Sequence, residues 1–140
     1  MKVKFIELKK PWLGKYAGIT LIPFVFWYIK NKTENQIKIL RNHELIHEAQ
    51  VRDEIELWQE KLKIKFLGSM VGWVVWYSKY IGWWMKNVFK GYFSVKGKSS
   101  VQAYRDIPYE KEAYGNERKL TYLEKRPKFA YRKYIENNVK

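Results

Sequence analysis

The chain's only two histidines, His43 and His47, stand four residues apart in Asn42-His43-Glu44-Leu45-Ile46-His47. On an α-helix, residues i and i+4 lie one above the other on the same face. Two imidazoles at that spacing can present nitrogens to one tetrahedral zinc. Glu44, one step round the helix, can reach a water on that metal and act as general base. The pattern is H-E-x-x-H, and the chemistry it suits is metal-assisted hydrolysis. The plainer reading is two histidines on an ordinary helix surface. Two histidines leave a catalytic zinc one protein ligand short. With no cysteine in the chain, that ligand must be an Asp or a Glu, and disulfides are excluded as well.

Carboxylates on a second predicted helix can complete the set. In Ile107-Pro108-Tyr109-Glu110-Lys111-Glu112-Ala113-Tyr114-Gly115-Asn116-Glu117, Asp106 can cap a helix with Pro108 in its first turn, running to about Glu124. Glu110, Glu112 and Glu117 are the candidates. Glu110 lies roughly 200° round the helix from Glu112, so both can scarcely serve one metal. Glu112 and Asn116 share a face, so with Glu112 on the metal Asn116 can hydrogen-bond a ligand histidine. Spacing alone leaves the three glutamates open, alongside the reading that all are solvated. Tyr109 and Tyr114 are candidates to polarise a carbonyl or stabilise an oxyanion, or else are core or rim aromatics. Gln50, one turn beyond His47, is placed to hydrogen-bond a metal ligand or a substrate, or simply faces water.

The elements that must position these groups are legible from periodicity and punctuation. Thr33 and Gln36 have capping-box spacing, Glu34 lies in the first turn, and nothing breaks a helix until about Lys65. Met1 to Leu8 alternates as a short strand, and Lys9 to Gly14 reads as a turn. Ala17 to Ile29 is uncharged and rich in β-branched and aromatic residues. Pro23 interrupts it, which suits short strands or a hairpin packed on the motif helix. Phe66 to Phe93 is an aromatic, apolar helical segment, Gly91 to Ser100 a Gly/Ser/Lys loop, and Phe129 to Asn137 a short basic helix. The expected fold is α+β and predominantly helical, a single domain over 1–140: short strands in 1–32, the motif helix in 33–65, the aromatic helix in 66–93, and a third-ligand helix with a basic tail in 101–140.

Charge sets the choice of partner. Lys and Arg number 28 against 14 Asp and Glu, a formal net charge of +14. That excess fits nucleic acid, an anionic membrane or an acidic partner, as well as plain solubility. The basic residues are dispersed and no nucleic-acid motif emerges, so nucleic acid is the least favoured partner. Trp73, Trp76, Trp83 and Trp84 with flanking lysines have the composition of a membrane interface, and a core helix covering the motif helix is the other reading. The uncharged run from Phe66 to Ser78 is short for a bilayer span. Ala17 to Ile29 is too short to cross and sits too late for an ordinary signal peptide, pointing to a cytoplasmic or membrane-associated protein.

The order of blocks carries a resemblance. H-E-x-x-H followed far downstream by a helical Glu-Ala, with a carboxylate or amide four residues on, resembles the gluzincin branch of zinc metallopeptidases. The resemblance implies a minimal zincin-like fold, one zinc on His43, His47 and Glu112, Glu44 as base, and Asn116 orienting a ligand histidine. Asn116 stands where that branch has an Asp, and an amide accepts an imidazole N–H less strongly than a carboxylate. The blocks AGITLIPFVF, NHELIHEAQ, AYRDIPYEKEAYGNE and YLEKRPKFAYRKYI also resemble, over most of the chain, small HExxH proteins of Bacteroidetes and their phages. The implied activity is hydrolysis of a peptide or protein substrate. A non-catalytic membrane-associated or structural protein with a fold-bracing metal is the alternative.

Overall fold

The computed structural model describes residues 3–10, 18–21, 23–92 and 100–136. Its elements in order are β1 (Lys4–Glu7), β2 (Gly18–Leu21), β3 (Phe24–Trp27), α1 (Glu34–Leu62), α2 (Lys65–Tyr92), α3 (Ser100–Arg105), α4 (Pro108–Asn116), α5 (Tyr122–Lys125), a 3-10 turn (Ala130–Arg132) and α6 (Lys133–Glu136). The protein is thus mainly helical, with one small sheet and two long helices. Part of the expected turn at 9–14 and residues 93–99 of the expected 91–100 loop lie outside the described residues; Gly91 and Tyr92 belong to α2. The chain forms two compact units, residues 1–49 with 113–126, and residues 50–112 with 127–140.

In the first unit the sheet order is β1-β3-β2, with β1 parallel and β2 antiparallel to β3. Pro23 falls between β2 and β3, where its missing N–H costs no ladder bond. Phe5, Thr20 and Val25 are register partners and point to one face. That face meets α1: Thr20 reaches Glu44, and the Arg41 guanidinium lies over the Phe5 ring. The opposite face leaves Ile6, Ile19, Leu21 and Phe24 exposed.

α1 begins where the capping box predicts. The Thr33 N–H donates to Gln36 Oε1 at 2.9 Å, and the Gln36 N–H donates to Thr33 Oγ1 at 3.3 Å. It ends at Lys63, whose φ of 56° is left-handed and whose N–H bonds the Gln59 carbonyl.

In the second unit α1 turns back through Lys63 and Ile64 into α2 as an antiparallel hairpin. Gly68 and Gly72 make the approach possible. A Cβ on residue 72 would stand 2.5 Å from the Cα of Ile55, and one on residue 68 would collide with the backbone of Gln59. Behind them lies an aromatic core. Trp76 stacks on Tyr109 with centroids 4.9 Å apart, while Trp83 and Tyr131 meet the Tyr109 ring edge-on. Trp76 and Trp83, taken from the sequence as membrane-facing candidates, therefore serve packing here, whereas Trp73 and Trp84 are exposed. No helix among the described residues is long and apolar enough to cross a membrane.

The helix after Pro108 is shorter than the sequence suggests, ending at Asn116 instead of near Glu124. Gly115 weakens the last turn. The Asn42 side-chain amide then takes the carbonyls of Asn116, Glu117 and Lys119 at 3.3, 2.9 and 3.2 Å. Carbonyls satisfied by a side chain need no further helical turn.

Candidate metal centre

His43 and His47 are both buried on α1, with their rings edge to face. Their Nε2 atoms lie 3.2 Å apart. Two nitrogens on one tetrahedral zinc, each at ~2.05 Å, stand about 3.3 Å apart. The separation present, which is also that of a hydrogen bond, matches that of two ligand corners, and the i, i+4 spacing puts both rings on one face.

Glu117 orients the first imidazole. Its Oε2 lies 2.8 Å from His43 Nδ1. A carboxylate can only accept, so Nδ1 carries the proton and the lone pair is left on Nε2. A carboxylate behind a ligating histidine is the usual means of setting the tautomer and raising the nitrogen's basicity. The Tyr114 ring packs edge-on against His43 with centroids 4.6 Å apart. The Asn116 side-chain oxygen accepts from Lys119 at 3.4 Å, and the group behind His43 Nδ1 is the Glu117 carboxylate.

Glu44 is held from the sheet side. Its Oε2 accepts the Thr20 hydroxyl at 2.5 Å, and Gly18 lies against the same carboxylate. A Cβ on residue 18 would stand 2.9 Å from Glu44 Cδ. Strand β2 thus fixes one oxygen of the motif glutamate and leaves Oε1 turned toward Gly18.

His43, His47 and Glu110 form a buried group that can hold a metal ion. Helical spacing accounts for the choice of carboxylate. Glu110, Tyr114 and Glu117 are i, i+4 and i+7, one stripe of a 3.6-residue helix. The last two of these touch His43. Glu112, the ligand implied by resemblance, sits about 200° from Glu110, is fully buried, and accepts the Gln50 side-chain amide at 3.1 Å. The same Gln50 amide nitrogen donates to the Tyr109 carbonyl at 3.0 Å. Gln50 is completely buried and bonds α1 to α4, rather than facing substrate or water.

Glu110 has its own positioning residue. The Tyr80 hydroxyl donates to Glu110 Oε1 at 2.6 Å. Burial first, then the Glu110 charge, push the Tyr80 phenol well above its ordinary value, so it stays protonated and donates throughout the neutral range. Tyr109 is likewise held protonated, by burial above all. It lies inside the aromatic core, which leaves Tyr114, a partly exposed ring beside His43, as the better-placed of the two sequence candidates for a substrate. Thr20 and Tyr80 carry no motif of their own. Glu117 was visible as a glutamate seven residues after Glu110.

No family model, curated protein or solved structure matches this chain.

Proposed function

We propose that the protein is a zinc-dependent hydrolase acting on peptide bonds, with His43, His47 and Glu110 as the protein ligands. The observation that supports catalysis is the placement of Glu44. It follows a ligand histidine directly, and its Oε2 is tethered by Thr20 of strand β2. The donor set suits zinc: two neutral imidazoles, one backed by a carboxylate, and one glutamate oxygen. Bound there, zinc supplies acidification of water and polarisation of a carbonyl.

The chain's own residues do the rest. Glu117 keeps the His43 lone pair on Nε2, and Tyr80 holds the Glu110 carboxylate by its Oε1. With zinc bound, the Glu44 carboxylate would accept the proton of the attacking water and deliver it to the departing amine. Thr20 prevents the carboxylate from turning away. A peptide is favoured as substrate because β2 pairs only with β3 among the described residues. Its other edge can take an extended chain by main-chain hydrogen bonds, on the strand that touches Glu44.

The burial of all three ligands supports the second reading, a metal that braces the fold without catalysis, since structural sites are closed. One experiment separates the two. Zinc-loaded wild type should cleave unstructured peptide substrates, and Glu44→Gln should keep its zinc while losing cleavage. Wild type that binds zinc stoichiometrically and cleaves no peptide would leave the bracing role. Equal cleavage by Glu44→Gln would remove Glu44 from the chemistry.

A further inference from the structure

Among the described residues, α2 leaves a long apolar band exposed on its outer face. Phe66, Met70, Trp73, Val74, Ile81, Trp84, Met85, Phe89 and Tyr92 are all exposed, from 38% at Trp73 to 84% at Tyr92. At 100° per residue these positions fall in one band less than half the helix circumference wide, and no charged residue lies within it. With aromatic side chains contributing ~150–250 Å² each, the exposed apolar surface is on the order of 1,000 Å². The largest patch on an ordinary monomer is about 300–600 Å². Lys65, Lys79, Lys86 and Lys90 occupy the opposite side of the helix, and none of its 28 residues is acidic.

We propose that this face docks α2 flat on an anionic membrane surface. An amphipathic helix that lies in the interface has Trp, Phe and other apolar residues on one side and lysines on the other. Here α2 has the apolar side exposed, while its lysine side is also the side of the buried Gly68, Gly72 and Trp76, with Lys79 paired to Glu54 and Lys86 and Lys90 exposed toward the C-terminal end; the helix lacks the apolar length to cross. The lysine stems can bring their ammonium groups toward the headgroups at the exposed C-terminal end, where Lys86 and Lys90 lie. Charge decides against a second copy as the occupant. Each copy has a formal charge of +14, and α2 offers no acidic residue to pair with a facing lysine. An anionic leaflet attracts the same charge.

The proposal is independent of the metal chemistry and is tested without it. The full chain is sedimented with vesicles of phosphatidylcholine alone and of phosphatidylcholine with phosphatidylserine, beside the variant Trp84→Ser/Phe89→Ser. Both replaced side chains are solvent-exposed, and circular dichroism verifies that the variant is folded. Wild type should bind the anionic vesicles about tenfold more tightly than the neutral ones, and the double variant should lose about tenfold in that binding. Absence of vesicle binding, or equal binding by the double variant, overturns the proposal. A concentration-dependent dimer abolished by the double variant, with no vesicle binding, would assign the face to self-association instead.

Discussion

Replacing Glu117 tests whether a carboxylate 74 positions from His43 governs metal binding. The bond from His43 Nδ1 to Glu117 Oε2 is 2.8 Å long, and the two side chains are 7% and 19% exposed. Solvent therefore screens it only in part. A hydrogen bond to a charged group is worth about 1.5–3 kcal/mol. Loss of the carboxylate behind a ligating histidine costs metal affinity by about 10–100-fold, equivalent to about 1.4–2.7 kcal/mol. The two estimates agree. Glu117→Gln keeps an acceptor and loses the charge, so it should fall near the tenfold end; Glu117→Ala should approach the hundredfold end. The assay is zinc competition against a chromophoric chelator at neutral pH, with thermal unfolding of the apo protein as control for the fold. Zinc affinities of both variants indistinguishable from wild type would refute the role of Glu117, and with it the tautomer assigned to His43.

Further outcomes follow from individual contacts. Glu110→Gln should lose stoichiometric zinc while Glu112→Gln retains it, as read by metal content of the purified proteins; the opposite pattern would reinstate Glu112 as the ligand. Gly72→Ala should destabilise by about 1–3 kcal/mol in chemical denaturation, because its Cβ meets the backbone of Ile55. Gly82, with nothing within 4 Å of an added Cβ, should respond to Ala with a gain of up to ~1 kcal/mol. The Tyr131 phenol is raised above its ordinary value of 10.0 by burial and by Glu54. Above about pH 10 the unfolded chain releases that proton first, so stability should fall as pH rises, by up to ~1.4 kcal/mol per unit. Urea unfolding from about pH 9 to pH 11 should show a shallower decline in Tyr131→Phe.

Much of this architecture follows from local rules. The capping box at Thr33, the break at Pro23, and the absence of Gly and Pro from Glu34 to Leu62 set the elements near the places they occupy. The i, i+4 spacing puts both histidines on one face of any α-helix, so their pairing was legible from the sequence, while the orientation of the His43 ring rests on Glu117. Helical spacing also contained a clue to the carboxylates: Glu110, Tyr114 and Glu117 form one stripe, and Glu112 lies about 200° round the helix from Glu110. The order of blocks in the chain points to Glu112, because resemblance transfers position along a motif and not the rotation of a helix about its axis, whereas the buried group that could hold a metal includes Glu110.

That rotation is a property of packing. Gln50, buried on α1, binds both Glu112 and the Tyr109 carbonyl, and the Tyr109 ring is locked between Trp76, Trp83 and Tyr131. The same packing buries Trp76, sets Trp83 against the Tyr109 and Tyr131 rings and leaves Trp73 and Trp84 exposed, a division that composition cannot make for four tryptophans within twelve residues. The sequence by itself determined the two long helices, the short strands and the pair of histidines, since each depends on neighbours a few residues away. The carboxylate behind His43, the threonine on Glu44 and the tyrosine on Glu110 come from 24 to 74 positions off. Only the folded chain brings them within hydrogen-bond reach.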